Sequence, residues 1–133
     1  MHEAKFKVGF KIIRSEKYGN EVQVYYPISK EIKVRPENDV PVLPHGDKTL
    51  KGLLLLALGN FLSEDSYWPT FILNSFKDVF LGVAKNAPLS PNLRNKKLVP
   101  IFFSHGLTLS PHHYTRVLMD LARCGYILFG IFH

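Results

Sequence analysis

The stretch Leu98–Tyr114, LVPIFFSHGLTLSPHHY, decides how the rest of the chain is read. Leu98 to Phe103 is a nearly continuous apolar run, the pattern of a short strand buried on both faces in a parallel sheet. Pro100 has no N–H, so it belongs where the ladder needs no donor. Ser110 is placed to N-cap a helix with Pro111 at its first position. Tyr114, Val117, Leu118 and Leu121 then recur at i, i+3, i+4 and i+7, and Gly125 ends the helix. Tyr126 to Phe132, YILFGIF, reads as a second buried strand. Strand, turn, helix, strand is a βαβ crossover, which is right-handed in nearly all proteins.

Upstream the pattern changes. Phe6, Val8, Phe10 and Ile12 alternate with Lys5, Lys7, Gly9 and Lys11, and Val22, Val24 and Tyr26 alternate with Glu21, Gln23 and Tyr25. Period two with one wet face predicts two strands. KYGN at 17–20 supplies turn chemistry between them, so the first third is an antiparallel hairpin ending at Pro27. Residues 28–46 are broken by Pro36, Pro41 and Pro44, with Ile32 and Val34 as a candidate short edge strand. Asp47 to Leu62 is helical in pattern, through Leu54, Leu58, Phe61 and Leu62, although Gly52 and Gly59 weaken it. Ser66 to Gly82 predicts another helix, with Pro69 in its first turn. A Pro-, Asn- and Lys-bearing loop runs from Ala84 to Lys97.

The 133 residues suit one domain, and 46% hydrophobic with 21% charged residues suits a globular chain. The net charge of +6 comes from residues spread along the chain, with no nucleic-acid-binding motif among them, so no nucleic-acid partner is expected. The single cysteine, Cys124, excludes an internal disulfide framework and reads as a half-buried structural thiol. No apolar run approaches the roughly 20 residues a membrane span needs. MHEAKFKVGFK is not a secretory signal, so the chain as written reads as cytoplasmic, with secretion expected only if a leader precedes Met1. The chain stops at His133, on the last strand. Two parallel strands and a hairpin leave a sheet without all its partners, which predicts the front part of a larger domain.

Ser104 and His105 invite reading as a catalytic pair. Neighbours on an extended chain point to opposite faces, and none of the eight serines sits in a G-x-S-x-G elbow. Ser104 is therefore read as a bystander. The turn His105-Gly106-Leu107 has two readings. It is an ordinary βα turn that uses glycine for its φ, or it presents the Leu107 N–H as an oxyanion donor, as the strand-to-helix turn of α/β-hydrolases does. His112 and His113 diverge by about 100° on a helix and have no third ligand, so no metal site is predicted. His2 and His45 carry no visible partner.

LVPIFFSHGL followed by HYTRVLMDLARCGYILFGIFH resembles the platelet-activating-factor acetylhydrolases, serine esterases of the α/β-hydrolase fold. VQVYYP at 22–27 is similar to the family's strand ending in Tyr-Tyr-Pro. KDVFLG and the loop to Lys97 stand where the family has a helix end and a Pro/Asn loop. The resemblance implies an incomplete α/β-hydrolase fold, 1–133 being the N-terminal part of one domain. It implies hydrolysis of the short sn-2 acyl ester of a phospholipid, without metal or organic cofactor. Leu107 N–H would be the oxyanion donor, and His105 and Gly106 would border the substrate. The family's serine, aspartate and histidine lie downstream and have no counterpart here, so the chain alone is expected to be inactive. Trp68, Phe71, Ile72, Phe76 and Phe80 correspond to a helix that docks plasma-type members on lipid. An aromatic helical stripe more commonly packs as core. The alternative to an esterase part is a non-catalytic half-domain that binds a lipid surface or a partner.

Overall fold

The alternating segments form a hairpin. β1 (Lys7–Arg14) pairs antiparallel with β2 (Glu21–Ile28), Lys7 opposite Ile28 and Arg14 opposite Glu21. The computed structural model describes residues 4–42, 48, 52, 75, 79–106 and 111–132. The turn closes as KYGN predicts. Gly19 takes φ 70°, its N–H donates to the Ser15 carbonyl at 2.8 Å, and Ser15 N–H donates to the Asn20 carbonyl at 2.9 Å.

Among the described residues, five strands form one mixed sheet in the order β3-β1-β2-β5-β4. β3 (Ala84–Lys85) runs parallel to β1 and takes one edge. The predicted loop from Ala84 thus begins as a strand. The edge expected from Ile32 and Val34 is not formed, and both residues instead pack half-buried on the sheet. β4 (Pro100–Ser104) and β5 (Ile127–Ile131) are parallel, joined by a 3-10 turn (Pro111–Tyr114) and a helix (Thr115–Arg123). The helix was expected to begin at Pro111; that first turn is the tighter 3-10 form, and the capping role of Ser110 lies outside the described residues.

Strand burial reverses the sequence expectation at two places. β2 was predicted to keep a wet face, yet Gln23 and Tyr25 are buried along with Val24, Tyr26 and Ile28. β4 was predicted to be buried on both faces, yet it is an edge strand, with Phe102 68% and Val99 beside it 58% exposed. The cause is sheet order. β2 has β1 on one side and β5 on the other, the crossover helix over one face and the 29–34 and 84–90 segments over the other. Pro27 fits inside β2 because β5 pairs only with Val22–Tyr25, so Pro27 faces a ladder on the β1 side alone.

The helix also settles on a different stripe. Thr115, Leu118, Met119 and Ala122 are buried, whereas Val117 is exposed. The i, i+3, i+4, i+7 period fits both this set and Tyr114/Val117/Leu118/Leu121, one residue apart. Small Thr115 and Ala122 let the helix lie close to the sheet, and a polar contact selects the register. Tyr25 Oη donates to Gln23 Oε1 at 3.1 Å and lies 3.3 Å from Thr115 Oγ1. Burial pushes the Tyr25 phenol up to about 12, partly offset by the Thr115 hydrogen bond. A raised folded-state value means stability present below the unfolded phenol's value near 10 and lost as pH climbs towards 12. Tyr25→Phe is expected to cost about 1–2 kcal/mol at neutral pH, by removing the buried hydroxyl's bonds to Gln23 Oε1 and Thr115 Oγ1. Urea unfolding at pH 7 and pH 11 checks this, and the variant's deficit should shrink at the higher pH.

Gly125 ends the helix at φ 106°, with Cys124 and Gly125 N–H closing on the Leu121 and Ala122 carbonyls. Cys124 is exposed rather than half-buried, because the chain leaves the helix there before re-entering the sheet.

The chain divides into two compact units, Met1–Asp39 with Gly82–His133, and Val40–Leu81. In the first, the Asp39 carboxylate accepts the N–H of Gly82 at 3.0 Å and of Val83 at 2.9 Å. In the second, Val42 N–H donates to Val79 O and Leu81 N–H to Val40 O, each at 2.9 Å, with Pro41 opposite Phe80. Lys48 and Gly52 are helical inside the first predicted helix, and Ser75 inside the second. The second helix does not reach Gly82 as predicted, because residues 79–81 pair with residues 40–42. The rest of both predicted helices lies outside the described residues.

Candidate functional site

β4 and β5 run parallel, and their carboxyl ends, Ser104 and Ile131, lie level with Val22 at the start of β2. In open α/β sheets, ligands bind beyond the carboxyl ends of the strands. The turn Ser104-His105-Gly106 stands at that end.

Phe132 continues β5 and is pinned from the hairpin. Its N–H donates to Glu21 O at 3.1 Å, and its carbonyl accepts Asn20 Nδ2 at 3.0 Å. The His105 ring packs edge-on against Phe132, centroids 6.5 Å apart. His105 Nδ1 lies 3.0 Å from Gly106 O, a carbonyl that can only accept, so Nδ1 carries the proton there. That bond turns Nδ1 to its own turn rather than to the exposed Ser104, as expected for neighbours on a strand.

Gly106 is exposed, and its φ lies outside the left-handed region that Gly19, Gly82 and Gly125 occupy. A Cβ built on it would meet nothing nearer than Tyr114 Oη, at 3.9 Å. The glycine is thus required neither by backbone φ nor by a close neighbour among the described residues. This removes the stated reason for the ordinary-turn reading. Tyr114 is held beside the turn by Phe103, ring centroids 4.7 Å apart at 53°. Tyr114 and Phe132 therefore border the site. The sequence pattern placed them only as helix-stripe and strand residues, and nothing in their spacing signalled the turn.

Leu107, the expected oxyanion donor, lies outside the described residues. So do Trp68, Phe71, Ile72 and Phe76. Phe80 is described, is 39% exposed, and is extended opposite Pro41 rather than helical. Among the described residues no group of three His, Cys, Asp or Glu side chains is placed to hold a metal, and no helix is long and apolar enough to cross a membrane.

The family model described as platelet-activating factor acetylhydrolase, isoform II, matches residues 2–133. The chain belongs to that family. The match takes in the hairpin, the segment 40–81 and the whole crossover, where the sequence resemblance was strongest at residues 98–133. No curated protein matches the chain. The name of the acetylhydrolase family describes ester hydrolysis, so the chain is related to hydrolases, and its mixed sheet with one crossover helix is compatible with part of an α/β fold.

Proposed function

We propose that this chain forms the N-terminal part of an α/β-hydrolase-fold serine esterase that cleaves the short sn-2 acyl ester of a phospholipid. The observation that carries the reading is the family match over 2–133 joined to the turn at 105–106, an open glycine at the carboxyl end of a parallel strand pair. In that role a serine oxygen attacks the acyl carbonyl, and the carbonyl oxygen becomes an oxyanion. The Leu107 N–H is the donor assigned to that charge, with His105 and Gly106 as the wall beside it. The ester bond breaks to release the lysophospholipid, and water then frees the acyl group from the serine.

In this reading the serine, its histidine and its acid come from another segment, and no G-x-S-x-G occurs in these residues. The purified chain is therefore expected to show no turnover of a short-chain ester. Turnover abolished by a serine-reactive phosphonate would overturn the assignment of the nucleophile to another segment. Reading the transcript in frame past codon 133 tests the other half of the proposal, which expects a G-x-S-x-G followed by Asp and His. Exposed Phe102 on β4, with exposed Val99 just before it, fits a strand edge that a further part of such a domain covers.

A lipid-facing role for the 40–81 unit is a second reading, favoured by exposed Val79 and Phe80. It predicts that the chain sediments with phosphatidylcholine vesicles and that Phe76→Asp with Phe80→Asp lowers the bound fraction several-fold. Equal sedimentation of the variant would assign those aromatic residues to packing.

A further inference from the structure

Gly106 leaves room that neither its φ nor a close neighbour demands, and a Cβ placed there would meet Tyr114 Oη first, at 3.9 Å. Tyr114 comes from a different element, the 3-10 turn ahead of the crossover helix. Its ring is half-buried and packs on Phe103 of β4, the strand that leads into the turn. The body of the side chain is thus held, and the hydroxyl stands beside the exposed glycine. Packing on Phe103 alone would be served as well by a ring without a hydroxyl. Among the described residues this hydroxyl has no hydrogen-bond partner. Tyr25 and Tyr26 differ, since Gln23 and Thr115 engage the first hydroxyl and the Ala87 carbonyl the second. A phenol O–H both donates and accepts, and a ring with an apolar body and a wet tip suits a binding surface.

We propose that Tyr114 is a specificity residue of the ester site, its hydroxyl donating a hydrogen bond to an ester oxygen of a substrate that lies over Gly106. The inference rests on the esterase reading of this turn and adds a contact to it. Gly106 gives access, because a side chain there would stand between the substrate and the hydroxyl. Tyr114 gives selectivity, because a site that hydrogen-bonds a substrate group rejects an analogue lacking that group. Phe103 holds the donor before the substrate arrives, so less side-chain freedom is lost on binding. The bond is made to the bound ester as well as to its transition state, so it acts on KM more than on kcat.

The test uses the whole enzyme, read in frame past codon 133, with Tyr114→Phe, which keeps the ring on Phe103. For a short-chain phospholipid ester, kcat/KM is expected to fall about three- to tenfold, the worth of one neutral hydrogen bond. The loss should lie in KM, and Tm should not change, because the hydroxyl makes no bond within the chain that the variant would break. Two competitive inhibitors sharpen the readout, a phospholipid analogue with a ketone in place of the sn-2 ester and its methylene counterpart. Tyr114→Phe should weaken the ketone several-fold and leave the methylene analogue unchanged. An unchanged kcat/KM, a lowered Tm, or equal weakening of both inhibitors would make the tyrosine structural and overturn the proposal, with the esterase reading intact. A whole enzyme without phosphonate-sensitive ester turnover, or a frame that stops at codon 133, fails the esterase reading itself, and the proposal falls with it.

Discussion

Gly9→Ala is expected to destabilise the sheet by about 3 kcal/mol, lowering Tm on the order of 10 °C. A Cβ on Gly9 would clash with Tyr26 Cε2 and stand 2.7 Å from Ile28 Cγ2. Neither neighbour can swing aside cheaply. Ile28 is fully buried, and the Tyr26 ring is anchored at its far end by Oη donating to Ala87 O at 2.7 Å. The ring lies across β1 because that hydrogen bond and the half-buried Ala87 and Leu89 hold it there. Burial pushes the Tyr26 phenol up as well, so the hydroxyl remains a donor through the physiological range. Gly19→Ala is the control. Its φ of 70° is strained for alanine but nothing lies within 4 Å, so it should lose only about 1 kcal/mol. Adding Tyr26→Leu to Gly9→Ala should return part of the loss, giving a double-mutant cycle well short of additive. Equal Tm values for Gly9→Ala and Gly19→Ala would refute the close-approach account.

Leu107→Pro is expected to cut ester hydrolysis about 10²–10³-fold in the enzyme completed by a nucleophile-bearing segment, with kcat rather than KM carrying the loss. Proline removes the N–H, and an oxyanion donor acts in the transition state more than in the ground state. Leu107→Ala keeps the N–H and should retain most activity. If both variants lose activity equally, the side chain matters and the oxyanion assignment fails. If neither loses it, the turn is only a connection between β4 and the crossover helix. Unfolding midpoints measured alongside separate a lost donor from a damaged turn.

Local pattern carried a large part of the fold. Period two across residues 6–12 and 22–26 identified the hairpin, and the helix flanked by apolar runs at 98–103 and 126–132 identified the parallel crossover. These signals are local because the period of a strand or helix is written in the side chains that must face one way. The turn at His105-Gly106 was legible for the same reason, since a strand, a glycine and a helix-capping pair occur in order. The structure added Tyr114 and Phe132, which reach the turn because Tyr114 packs on Phe103 of β4 and because Asn20 and Glu21 hold the end of β5.

The sequence by itself therefore determined the hairpin, the parallel pair with its crossover helix, the family and the place of the candidate turn. Only the tertiary structure decided which strands stand in the centre. β2 reads as half-wet and is buried on both faces, while β4 reads as doubly buried and forms an edge. Burial depends on what packs against a strand, and periodicity cannot name that neighbour. The same limit hid the helix register. Thr115/Leu118/Met119/Ala122 and Tyr114/Val117/Leu118/Leu121 have equal spacing, and the choice fell to the Tyr25 hydroxyl on a strand ninety residues earlier.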